Sequence, residues 1–172
     1  MTRPTRPDGA LAASTALFCL GLVVGAALSR TGTPVPAPSV GERSAWFFLS
    51  RNAGVAAVLF VGSVTFGVVT AVTLCYNGFV VGYAVAGGER AVRSVLLVAP
   101  HGVVELPAFV LAGAAGLGLP AEVIRYLTGA QETLLRRSAV VGCLRRFLLA
   151  LGLLVVAAWL EAVVTPVVAA IV

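Results

Sequence analysis

"PHGVVELPAFVLAGAAGLG", Pro100 to Gly118, sets a histidine and a glutamate four residues apart, between two prolines, in an otherwise apolar run. Such a run belongs in a soluble core or in a bilayer, and the fold turns on which. Of the 172 residues, 59% are hydrophobic and 11% charged, with a mean hydropathy of +1.02. An ordinary soluble domain carries about 25% charged residues. This chain has too little polar surface to cover a water-soluble globule of its size. One integral membrane domain, 1–172, is expected, built only of helix because a helix satisfies its own backbone in lipid. About five apolar helical segments are expected, four or five of them crossing fully.

Around the opening stretch, 95–119 is a continuous apolar run. Proline removes a backbone donor and clashes with the preceding turn, so Pro100 and Pro107 predict a broken or re-entrant element. The small-residue tail with Gly113, Gly116 and Gly118 predicts close helix contact. It is not a dinucleotide loop, since GxGxxG and its βαβ setting are both absent.

Upstream, 52–87 is apolar and too long for one crossing. A straight helix of that length would reach about 50 Å at 1.5 Å per residue, against a hydrocarbon core of about 30 Å. The segment is expected to break near Asn77-Gly78 or to run on past the membrane face as a tilted helix. Further back lies a proline-rich external loop, 29–51. Before it, 10–28 reads as a first transmembrane helix, its length exceeding the apolar core of a cleaved signal, which is the other reading. Gly21 and Gly25, like Gly78 and Gly82, have the spacing that lets helices approach closely.

Downstream, 120–146 carries Glu122, Arg125, Glu132, Arg136, Arg137, Arg145 and Arg146. With Val123, Leu127, Ala130 and Leu134 at helical spacing, it predicts an amphipathic helix along a membrane face, with Glu132 and Arg136 paired at i,i+4. The last transmembrane helix, 147–172, contains Glu161.

All 12 basic residues are arginine, set against seven acids for a net charge of +5. They lie between apolar runs and form no patch with interleaved aromatics, so nucleic acid is excluded as a partner. Arginine in the loops reports topology instead: the N-terminus, with Arg3 and Arg6, and the 120–146 helix are expected in the cytoplasm. Cys19, Cys75 and Cys143 have no CxxC spacing and read as small buried hydrophobes.

Ionisable groups at membrane depth are costly and face the bundle interior. His101, Glu105 and Glu161 are the candidates for such an intramembrane polar centre, with Asn77 as a neutral fourth. If the chain is helical there, His101 and Glu105 share a face. Four readings follow: an interhelical clamp, a coupling site in a transporter, a metal site and a hydrolase. The pair alone is half a metal site, without HExxH or a second histidine, and no metal is expected. No nucleophile or GxSxG motif supports hydrolysis. Glu161 is expected to reach either the His101–Glu105 pair or the Asn77 turn.

These residues carry a resemblance. "PHGVVELPAFVLAGAAGLGLP" resembles the signature of the stage II sporulation protein M family, a His-Gly-x-x-Glu-hydrophobic-Pro-Ala core with a small-residue tail. "RNAGVAAVLFVGSVTFGVVTAVTLCYNGFVVG" is similar to the family's earlier helix, opened by Asn52 and closed by Asn77-Gly78. "AAWLEAVVTP", with Glu161 and Pro166, resembles its C-terminal helix. The resemblance implies a polytopic membrane protein without enzymatic activity or cofactor. It implies a scaffold or complex subunit, as in endospore formation, where the founding member anchors two wall-degrading enzymes. The expected partners are the lipid bilayer and other membrane or envelope proteins, with a homo-oligomer left open. The cell membrane is the expected location, and a transporter or permease subunit using His101 and Glu105 is the alternative.

Overall fold

A computed structural model describes residues 9–29, 44–86 and 91–171. Among these, five helices are long and apolar enough to cross a membrane. They are α1 (Gly9–Leu28), α2 (Ala45–Val61), α3 (Val68–Ala86), α4 (Ala91–Leu127) and α5 (Arg137–Ala169), with a short 3-10 turn, Gly62–Thr65, after α2. Arg3, Arg6 and most of the proline-rich loop lie outside the described residues. That loop, placed at 29–51, yields to helix from Ala45, where the Ser44 hydroxyl accepts from the Phe47 amide as an N-cap.

Three sequence expectations need correction. The 52–87 segment does break, but at Phe66-Gly67, both with left-handed backbone (φ 52° and 84°). Hydroxyls make this turn: Thr65 Oγ1 donates to the Gly62 carbonyl at 2.7 Å and accepts from the Val69 amide at 3.1 Å. The buried Thr70 hydroxyl donates to the Leu59 carbonyl at 2.8 Å, tying α3 to the end of α2. Asn77-Gly78 stays helical because Asn77 donates back to the Thr73 carbonyl (2.8 Å) and Gly78 packs on α1.

The second correction concerns the prolines. Pro100, Pro107 and Pro120 all lie within α4, which is one continuous helix of 37 residues, with no break and no re-entrant turn. Each proline removes one bond from a long ladder, a loss that membrane helices tolerate. Pro100 and Pro107 are also seven residues apart, on one side of α4, and neither is buried.

Third, there is no separate amphipathic helix over 120–146. α4 runs on to Leu127 and ends in a Schellman motif. Ala130 N donates to Arg125 O at 2.8 Å and Gly129 N to Tyr126 O at 3.0 Å, with Gly129 at φ 72°. A non-helical link follows, and α5 starts at Arg137. The helical pairing of Glu132 with Arg136 therefore gives way to another. Arg136 forks onto the Glu122 carboxylate with two bonds of 2.8 Å, and Arg125 lies 3.2 Å from the same group. Bonding to Glu122 holds the Arg136 guanidinium above its usual pKa. Gln131 adds a bond to the Glu122 carbonyl. Glu122 is 2% exposed, so the α4–α5 link is pinned by a buried, twofold-bonded carboxylate.

Register follows from the glycines. Gly21 abuts the backbone of Cys75 and Gly25 that of Phe79, while Gly78 and Gly82 abut Phe18 and Leu22. Both numbers rise together, so α1 and α3 are parallel and interlocked through two GxxxG faces. Asn52 bonds Glu105 and Leu59 faces Gly116, so α2 is parallel to α4. Gly118 faces Cys143 while His101 meets Thr165, so α4 and α5 are antiparallel. Hence α1, α3 and α5 run one way and α2 and α4 the other. The start of α1, the Phe66-Gly67 turn and the arginine-rich link share one end of the bundle.

α4 is the hub, packing on all four other helices. Its residues Ala112 to Gly116 are all buried, and Gly113 meets Ser14 and Leu74 while Gly116 meets Leu59 and Thr70. The remaining core holds Phe18, Ala56, Leu59, Leu74, Phe109, Ala150 and Leu154. Large apolar side chains such as Val23, Val103 and Trp159 point outward, as a lipid-facing surface requires.

Candidate functional site

His101 and Glu105 sit one turn apart on α4, and Glu161 and Thr165 sit one turn apart on α5. Because the helices are antiparallel, His101 is set against Thr165 and Glu105 against Glu161. The imidazole Nδ1 is 3.3 Å from the Thr165 hydroxyl. A ligand atom from each of His101, Glu105 and Glu161 lies within 4.8 Å of the others. All three are half-buried, whereas Val103, on the opposite side of α4, is 73% exposed. The polar face thus turns into the bundle and the apolar face outward.

The third wall is α2. Its buried Asn52 side chain hydrogen-bonds to the Glu105 carboxylate, and the charge of Arg51 acts on that same group. Three helices therefore converge on one polar cluster. It lies seven residues into α2, ten into α4 and eight from the end of α5, or about 10–15 Å from that end of the bundle at 1.5 Å per residue. This is the end opposite the arginine-rich link.

Of the four sequence candidates, the structure brings His101, Glu105 and Glu161 together. The fourth, Asn77, spends its amide on Thr73 within α3. Two helix-spanning partners escaped the sequence reading. Asn52 was visible only as the opening residue of a long apolar segment. Thr165 carried a usable signal: Glu161-x-x-x-Thr165 repeats on α5 the four-residue spacing of His101-x-x-x-Glu105. Of the glycines, Gly113, Gly116 and Gly118 are all buried contact points on α4, the last against the Cys143 sulfur.

Chemically the cluster combines one imidazole, two carboxylates, an amide and a hydroxyl in an apolar surround. It can bind helices together, hold or pass a proton, or hold a cation. His101, Glu105 and Glu161 form the one grouping of three metal-ligating side chains among the described residues. Glu161 supplies the third ligand that the α4 spacing lacks by itself.

Comparison with known proteins agrees with the resemblance in the sequence. Residues 14–166 match the family described as stage II sporulation protein M. The uncharacterized protein MJ0793 of Methanocaldococcus jannaschii is 32% identical over 122 residues, covering 69% of this chain and 68% of that protein. No solved structure matches the chain.

Proposed function

This chain belongs to the stage II sporulation protein M family, and from that premise we propose that it is a noncatalytic membrane scaffold or complex subunit. What supports this reading is the continuity of α4. Transporters of the broken-helix type bind substrate where unwound backbone meets the midplane. Here the helix with the polar motif is unbroken, and its polar groups are engaged with α2 and α5. The α1–α3 interlock and the buried small-residue face of α4 favour a rigid body over a rocking one. In this reading the polar centre is a clamp, and the exposed apolar flanks meet lipid and other membrane or envelope proteins. The arginine-rich link and the start of α1, which share one end, face the cytoplasm of a cell membrane.

A transporter or permease subunit is the second reading, favoured by the convergence of three ionisable groups at membrane depth. The test is substitution by His101→Gln and Glu105→Gln in the native host. A clamp loses membrane abundance with each change. A stable, abundant variant that fails in its cell overturns the clamp and favours transport.

A further inference from the structure

We infer that His101, Glu105 and Glu161 form a binding site for one divalent transition-metal ion, bridging α4 and α5. The donor set is the first reason. One imidazole and two carboxylates suit zinc, manganese or iron(II), and they arrive from two helices with their ligand atoms within 4.8 Å. A tetrahedral ion with ligands at about 2.0–2.1 Å needs them about 3.4 Å apart. Small side-chain rotations cover that difference.

Charge is the second reason. Glu105 and Glu161 face each other across the α4–α5 contact, where two carboxylates of like charge are costly in an apolar surround. A divalent cation between two carboxylates and a neutral imidazole makes a complex with no net charge. Arg51 is exposed and acts on Glu105 from the α2 side.

The outer partners are the third reason. Metal-binding histidines are held by a hydrogen bond at their other ring nitrogen, and ligating carboxylates are themselves hydrogen-bonded. Thr165, buried, holds His101 through Nδ1, and Asn52, buried, holds Glu105. Both sit outside the ligand set and orient it. Because the ligands come from α4 and α5, the ion would act as a structural staple. The inference stands apart from the scaffold reading, since a transporter can use the same site.

The experiment uses the full chain, purified in detergent and stripped with a chelator, then titrated separately with zinc and cobalt(II). Cobalt reports its ligands through its visible spectrum. The expected result is one ion per chain, a visible cobalt band and a higher Tm with zinc. Affinity is expected to fall at least tenfold in Glu161→Gln and His101→Gln. Thr165→Val, which leaves all three ligands in place, should weaken binding about 10–100-fold and serves if the ligand variants do not fold. The inference is overturned if the folded parent chain binds neither ion at micromolar concentration. It is overturned equally if all three variants bind as tightly as the parent. A Tm that responds to pH but not to zinc would assign the cluster to a shared proton instead.

Discussion

His101 on α4 and Thr165 on α5, 64 residues apart in sequence, meet at 3.3 Å and fix the register of the two longest helices. Slip by one turn would set Glu161 against His101 and leave Glu105 without its opposite number. The contact is modest in energy and specific in geometry. Hydrogen bonds between membrane helices average about 0.6 kcal/mol and reach about 1.7 kcal/mol. Thr165→Val is expected to cost an amount in that range, read as the shift in reversible unfolding from mixed detergent. A double-mutant cycle with His101→Gln should return most of it as coupling; additive single effects would reject the contact.

The α1–α3 interlock makes a sharper prediction. A Cβ at Gly21, Gly25, Gly78 or Gly82 would run into backbone on the opposite helix, whereas at Gly152 it meets nothing within 4 Å. Backbone cannot rotate out of the way as a side chain can. Gly25→Ala and Gly82→Ala are expected to destabilise by about 1–3 kcal/mol. Gly152→Ala should be neutral or stabilising by about 0.5–1 kcal/mol, since alanine is the better helix former. Unfolding of the three variants side by side distinguishes these outcomes, and equal effects would contradict the packing.

At the opposite end from the polar centre, Glu122 holds the α4–α5 link through Arg136 and Arg125. Removing Arg136 takes away both arms of the fork and leaves the buried carboxylate to Arg125 at 3.2 Å and to Gln131. Proteinase K cleavage within 128–136, which follows the population of the open link, is expected to rise by about tenfold in Arg136→Ala. Arg137→Ala should cleave at close to the parent rate, because the fork onto Glu122 is made by Arg136, with Arg125 beside it, while Arg137 opens α5. Equal protection in both variants would remove the fork from the account.

The five alternating helices also fix which ends share a membrane face. Ser44 and Ala170 lie at one end and Thr128 at the other. Single cysteines at these positions, in a background without Cys19, Cys75 and Cys143, should label with an impermeant maleimide from opposite faces. Ser44 and Ala170 are expected to react together and Thr128 only from the other side. Labelling of Thr128 and Ser44 from the same face would remove one crossing from the fold.

Much of this architecture was legible in the chain because apolar run length and sparse charge report membrane helices directly. The shared face of His101 and Glu105 follows from their four-residue spacing on a helix, and Glu161 does reach that pair. The errors have one physical source: a residue type that does two jobs. Asn77-Gly78 can make a turn, yet here glycine serves close packing and asparagine caps inward on Thr73. The break at Phe66-Gly67 depends on the hydroxyls of Thr65 and Thr70 finding carbonyls in their surroundings, which no periodicity records. Pro100 and Pro107 suggested a break because propensity counts the bond lost and not the packing that keeps the helix together. Arg136 chose Glu122 over Glu132 because Gly129 ends the helix between them.

The placement of Glu161 and Thr165 in α5, after the other four helices, has a consequence for how the protein is made. Ribosomes add about 5–20 residues per second. His101 therefore waits about 3–13 s after it is synthesised before Thr165 exists. Over that interval α1 already has α3 to lock onto, since Cys75 and Phe79 precede His101 in the chain. The glycine-faced pair can form first and the α4–α5 pair last. Newly made chains would then pass through a stage in which His101 awaits Thr165 while Glu105 is already met by Asn52 of α2, the stage at which membrane chaperones and proteases would meet them.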